Sequence, residues 1–176
     1  MSKSWIGSLF FICLLGCASG RVVPNHELKA TIENPGSTLL LFAVDTTDYV
    51  NTIHISGPSS TVVKALPYQF IELAPGEYEI SKLDVSDGYY KLGISDDEIW
   101  KFNIKPGVIN YVGHFQVRDL YDDRYAFSLE NKSTTALKYM ESKHPALLSS
   151  KQLVYGGLDS DQFFDFIRKL EKKKND

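Results

Sequence analysis

The sequence predicts a mainly β protein: an antiparallel β-sandwich of about seven to eight strands, followed by two C-terminal α-helices. Three observations predict it. Apolar residues recur with period two through most of the chain, a strand–Pro-Gly–strand unit occurs twice, and the period lengthens to the helical one only near the carboxyl end. Strands first and helices last argue for packed sheets with appended helices, not for alternating β and α units.

Taken in order, Leu28, Ala30 and Ile32 alternate with polar neighbours ahead of an Asn34-Pro35-Gly36 turn, which reads as a strand. Thr38 to Val44 is a continuous apolar run suited to a strand buried on both faces. Val50, Thr52 and Ile53-His54-Ile55 form the next strand, closed by Gly57-Pro58, and Thr61-Val62-Val63 begins another. The repeated unit follows. Ile71-Glu72-Leu73-Ala74-Pro75-Gly76-Glu77-Tyr78-Glu79-Ile80 and Phe102-Asn103-Ile104-Lys105-Pro106-Gly107-Val108-Ile109-Asn110-Tyr111 hold apolar residues at the same offsets. Pro presets φ for the first central residue of a type II turn and Gly supplies the positive φ of the second. Two short hairpins are therefore expected, both presenting an apolar face to one core.

Trp100 is in phase with Phe102 and Ile104. Beyond the second turn, period two puts Tyr111, Gly113, Phe115 and Val117 on one face and Asn110, Val112, His114 and Gln116 on the other. These aromatics read as core packing. Tyr125 to Leu129 is the last strand. Asn131 or Ser133 can then cap a helix carrying Ala136, Leu137 and Met140, ended by Pro145. A second helix carries Phe163, Phe164, Phe166, Ile167 and Leu170. It opens on Asp159-Ser160-Asp161 and closes on Lys172-Lys173-Lys174, the order of charge that complements the macrodipole. The lysine run is most simply a helix end, with contact to anionic lipid or lipopolysaccharide as the alternative.

Length and composition bound what this fold does. The 176 residues suit one domain with small appendages, and 43% apolar with 23% charged residues is a globular composition. A net charge of −3 supplies no basic excess to neutralise phosphates, which argues against a nucleic-acid partner. The cysteines, Cys13 and Cys17, both precede the domain, so no disulfide, cysteine zinc site or cysteine nucleophile is built inside it.

Lys3 precedes an apolar stretch from Trp5 to Leu15. As a helix it would be about 16 Å long against roughly 30 Å of hydrocarbon, so it reads as the apolar core of a signal peptide. Leu14-Leu15-Gly16-Cys17 then resembles the lipobox of bacterial lipoproteins. The resemblance implies cleavage between Gly16 and Cys17, with diacylglycerol on the Cys17 thiol and an acyl chain on its amino group. Ala18 and Ser19, in place of an aspartate after the lipidated cysteine, imply the outer membrane. The organisation expected is a signal peptide over residues 1–16, a lipidated start and short tether over 17–26, a β-sandwich over 27–130 and a helical extension over 131–176. Pro24 discourages regular structure in the tether, whose residues 18–25 reach at most about 28 Å.

The strand–Pro-Gly–strand units resemble prealbumin-like and carboxypeptidase-regulatory-like sandwiches. With Tyr111-Val112-Gly113 they are similar to small bacterial lipoproteins of unknown function, a family that lends no catalytic residues.

A search for chemistry finds little. His26-Glu27 begins like a zinc-protease helix, but Ala30 stands where its second histidine is required. His54 and His114 have no sequence-local triad partners, and nucleophile-elbow, phosphate-loop and dinucleotide motifs do not occur. The acidic stretches Asp96-Asp97-Glu98, Asp119 with Asp122-Asp123, and Asp84-Val85-Ser86-Asp87-Gly88 lack calcium-loop spacing and read as polar loops. No metal and no cofactor beyond the lipid on Cys17 is expected. Tyr89 and Tyr90, with Tyr121 and Tyr125, are the candidate ligand or partner contacts, because tyrosines beside Asp and Gly can stack on sugars or engage a protein. The function expected is a non-catalytic structural or interaction module, held on the lipid bilayer through Cys17 and contacting an envelope protein. The alternatives are a glycan- or peptidoglycan-binding module and an envelope hydrolase.

Overall fold

A computed structural model describes residues 19–28, 31, 34, 36–47, 50–85, 88–91, 98–120 and 124–175. Cys17 and Tyr121 lie outside the described residues, and Tyr89 is described in its backbone alone.

Two sheets stack. The first joins β1 (Arg21–Val23), β5 (Gln69–Glu72), β2 (Leu39–Thr46), β9 (Ile109–Leu120) and β10 (Arg124–Glu130) in that order, and β11 (Leu153–Tyr155) also pairs with β9. The second joins β4 (Thr61–Val63), β3 (Val50–Ser56), β6 (Gly76–Val85) and β7 (Gly88–Lys91), with β8 (Lys101–Ile104) also on β6. Each long strand divides its length between two short neighbours. β11 meets β9 at Ile109–Tyr111 and β10 meets it at His114–Leu120; β8 meets β6 at Gly76–Glu79 and β7 meets it at Lys82–Val85. The second sheet is antiparallel throughout its described pairs, whereas the first is mixed, because β2 and β11 both run parallel to β9.

The two Pro-Gly units are not hairpins. Pro75-Gly76 carries the chain from β5 in the first sheet to β6 in the second, and Pro106-Gly107 returns it from β8 in the second to β9 in the first. Both are arches across the sandwich. The glycines do adopt positive φ, 141° at Gly76 and 70° at Gly107; the second fits the expected type II turn, the first is a more extended bend leading straight into β6, and in both the partner strand differs from that of a hairpin. Period two reports which face a residue takes, and an arch serves that periodicity as well as a hairpin does. Ile71, Leu73, Tyr78, Ile80, Phe102 and Ile104 all enter the core between the sheets, as the pattern requires. Ile109 and Tyr111 instead face outward from the sandwich into a second core.

That second core exists because the helices cover the outer face of the first sheet. Three helices follow β10, with β11 between the second and third: α1 (Ser133–Lys143), α2 (Pro145–Ser150) and α3 (Phe163–Asn175). Ala136, Met140, Leu147 and Phe164 pack on Leu39, Leu41, Phe70 and Tyr111. β2 is thus buried on both faces, with Leu40, Phe42 and Val44 between the sheets and Leu39, Leu41 and Ala43 beneath the helices. Each fully covered leucine or phenylalanine stabilises the stack by about 1.5–3 kcal/mol. Pro145, expected only to end a helix, occupies the first turn of α2, where its missing N–H is no loss. At the start of α3 the Phe163 N–H donates to Asp161 Oδ1 at 2.8 Å.

Two further segments depart from expectation. Leu28 and Thr31 belong to a helical turn, in which the Thr31 N–H donates to the Glu27 carbonyl at 3.2 Å, and Ala30 and Ile32 lie outside the described residues. Strand β1 occupies part of the segment that reads as tether, paired to β5 through Arg21–Glu72, Val22–Ile71 and Val23–Phe70. Pro24 then ends this strand.

Candidate functional site

Of the four tyrosines singled out in the sequence, the structure brings two together. Tyr90 on β7 and Tyr125 on β10 come from the neighbouring edges of the two sheets, with ring centroids 5.3 Å apart. Phe127 completes the cluster at 5.4 Å from Tyr90 and stacks on Phe115 at 6.5 Å. All three are partly buried against the core between the sheets. These rings close one side of the sandwich.

A better-formed site lies on the helix side of the first sheet, around His114. Gly113, at φ 121°, inserts one extra residue into β9: Leu41 pairs with Tyr111 and Ala43 with His114, so two steps along β2 match three along β9. The bulge reverses the alternation. His114, expected opposite Tyr111, sits on the same face, with its Nδ1 2.6 Å from Tyr111 Oη. Its Nε2 lies 3.0 Å from Tyr68 Oη, and the Tyr68 ring stacks on Tyr139 at 3.9 Å.

The proton positions follow from what each group must satisfy. Tyr111 is fully buried and its oxygen accepts the Lys132 backbone N–H at 3.0 Å, so its own O–H donates to His114 Nδ1. The imidazole proton is thereby assigned to Nε2, which donates to Tyr68. Tyr68, half-buried, keeps its hydroxyl proton to offer outward. Burial, reinforced by the Lys132 ammonium, lowers the His114 pKa to about 4, and burial raises those of Tyr111 and Tyr68. Neutral imidazole and neutral phenols are the states this arrangement favours.

Outward of Tyr68 opens a cleft of about 640 Å³ lined by Val44, Asp45, Ala65, Tyr68, His114 and Lys132, among others. Its charged rim is ordered: Arg118 Nη2 meets Asp45 Oδ2 at 2.7 Å, and Lys132 Nζ lies 3.4 Å from the same oxygen. The hydrogen bond from Arg118, with that of Lys132 behind it, holds the Asp45 carboxyl below its ordinary pKa. An ammonium, a phenol donor and an apolar wall are the features with which a cleft recognises a small polar group on a partner. One signal in the sequence pointed here, since a lone Gly inside a strand pattern is where bulges occur.

His54 lies on the exposed face of the second sheet. Its Nε2 is 3.1 Å from Asp84 Oδ2, the Thr52 hydroxyl donates to that same oxygen at 2.5 Å, and Lys82 Nζ meets Oδ1 at 2.9 Å. These bonds, from Thr52 first, hold the Asp84 carboxyl far below its ordinary pKa. Beside the pair, Ser56 and Ser81 bond each other at 2.7 Å. Among the described residues the hydrogen bonds join an acid to His54 but bring no serine hydroxyl to its ring, and no three histidine, cysteine or acidic side chains cluster as metal ligands.

Fold and site together describe a mixed-sheet β-sandwich backed by helices, with a polar cleft at their junction. No protein family, curated protein or solved structure matches this chain.

Proposed function

We propose that this protein is a lipid-anchored cell-envelope interaction module, non-catalytic, that offers the Tyr68–His114 cleft to an envelope partner. The observation that carries the reading is the lipobox Leu14-Leu15-Gly16-Cys17, which runs almost directly into a folded domain. The Gly20 N–H already donates to the Ser60 carbonyl at 3.3 Å and Arg21 opens β1. Fully extended, the chain from Cys17 to Gly20 spans only about 11 Å. A domain so tethered rides on the membrane surface. Two or more acyl chains on Cys17 anchor stably where one anchors marginally, and Ala18 with Ser19 favours the outer membrane.

Metabolic labelling with radioactive palmitate and fractionation of cells test this. The parent chain is expected in the outer-membrane fraction with label, and Cys17→Ala unlabelled and released from it. Parent protein found unlabelled in the soluble periplasm would overturn the reading. Glycan or peptidoglycan binding through Tyr89, Tyr90, Tyr121 and Tyr125 takes second place, because the Tyr90 and Tyr125 rings are committed to each other and to Phe127.

A further inference from the structure

The strand register orients the domain relative to its anchor. Arg21, Glu72, Leu39, Ile109 and Leu153 form one row across the first sheet, and β1, β2, β9 and β11 all run the same way from it. The chain therefore enters from the end at which β2, β9 and β11 begin. Both Pro-Gly arches turn at that end, since Pro75-Gly76 follows Glu72 and Pro106-Gly107 precedes Ile109. The other end, where β9 finishes at Leu120, is about 36 Å away at 3.3 Å per residue. Sheet twist of roughly 20–25° per strand pair fans β1 and β11 apart, but each is only two steps from the central β2.

Helix α3 runs back toward the anchored end. Near its start, Phe164 meets Tyr111 with ring centroids 6.3 Å apart; one turn later Arg168 Nη1 donates to the Leu153 carbonyl, in the row of Ile109, at 2.8 Å. Continuing from Arg168, the helix extends about 10 Å further to Asn175. Lys172, Lys173 and Lys174 thus emerge past the end of the sheet, exposed, on the side from which the acylated residue enters.

We infer that the lysine-rich end of α3, where it emerges at the arch end of the domain, is a docking face for anionic phospholipid headgroups; Arg21 at that end is already paired with Glu27 and Glu72 and adds no free charge. The inference rests on the lipid-anchored reading and adds a second contact to it. Four strand spacings, about 19 Å, separate the rows of β1 and β11, so the lysines touch the surface at a point distinct from the acyl chains. The chain as a whole is acidic, at −3, so this local basic pole acts by orienting the domain rather than by general attraction. Each lysine near an anionic surface strengthens attachment severalfold. Docked in this way, the domain holds Leu120 and the Tyr90–Tyr125 side of the sandwich away from the bilayer.

The test uses the full lipidated chain, reconstituted in vesicles of phosphatidylethanolamine and phosphatidylglycerol or of phosphatidylcholine alone. Cys13 leaves with the leader and Cys17 is acylated, so Asn175→Cys or Leu120→Cys supplies the single thiol for a fluorescent label. Brominated lipids are expected to quench the Asn175→Cys probe strongly in the anionic vesicles, weakly in phosphatidylcholine, and to leave the Leu120→Cys probe bright in both. Lys172→Glu with Lys173→Glu and Lys174→Glu should lower the docking equilibrium on the order of a hundredfold, while the protein still floats with the vesicles and still unfolds cooperatively in urea, at a midpoint lowered only slightly by the charges now opposing the helix dipole. Equal quenching at the two positions, or quenching that survives the triple change, overturns the inference and leaves the anchor intact. A parent chain that does not float overturns the anchored reading, and this one with it.

Discussion

Tyr111 meets two demands with one hydroxyl. It receives the Lys132 N–H at the start of α1 and donates to His114 Nδ1, all in a fully buried position. Tyr111→Phe leaves both partners short of a bond, and a loss of about 1–3 kcal/mol is expected in urea unfolding. Tyr68→Phe removes only an acceptor at the cleft margin and should cost less. The histidine between them predicts a pH dependence. Its folded pKa, about 4, lies below the unfolded value near 6.5. Between those values the unfolded chain binds the extra proton, so stability falls as pH drops from 6.5 toward 4 and is fully recovered above 6.5. His144, also lowered by burial, acts in the same direction. Urea midpoints measured across this window should decline in the parent and decline less in His114→Gln. A slope unchanged by the substitution would remove His114 as its source. The depressed carboxyls of Asp45 and Asp84 act lower, their contribution being lost as pH falls below the ordinary carboxylate range.

At the scale of elements, the bulge in β9 decides which side chains meet. A Cβ on Gly113 would stand 2.9 Å from the Glu130 carbonyl oxygen and 3.2 Å from Leu129 Cγ, at a backbone conformation that L-residues rarely adopt. Gly113→Ala is expected to cost about 2 kcal/mol or more by chemical denaturation, and to move the amide resonances of His114 and Ala43 together. A neutral result would mean that β9 pairs with β2 without the extra residue. The arches show the same limit from another side. Pro75-Gly76 and Pro106-Gly107 were legible as turns, and the inward residues of the first were legible as core. Whether the chain turned back along the same sheet or crossed to the other was not legible, because edge pairing depends on strands far away in sequence.

For the whole molecule, the first sheet is a layer between layers. Leu39, Leu41, Ile109 and Tyr111 are completely buried on the side the helices cover. Ending the chain at Glu130 would strip α1, α2, β11 and α3 from that face and expose a contiguous apolar surface of the kind that drives aggregation. Such a truncation is expected to move the protein from the soluble to the pelleted fraction when it is produced without its leader. A soluble, cooperatively unfolding product would show the sandwich to be independent of its helical layer.

Local facts were written in the order of residues: the β-rich body, the doubly buried run from Thr38 to Val44, the positive φ at Gly76 and Gly107, the helical carboxyl end and the core roles of Trp100, Phe102 and Ile104. These rest on period, turn chemistry and side-chain volume, which neighbouring residues specify. The parallel course of β2 and β9, the crossing of the Pro-Gly turns between sheets and the hydrogen-bonded chain of Tyr68, Tyr111 and His114 came into view only with the folded chain. Each of these joins segments separated by tens of residues, where one inserted glycine reverses a face and pairing is settled by the packing of both cores at once.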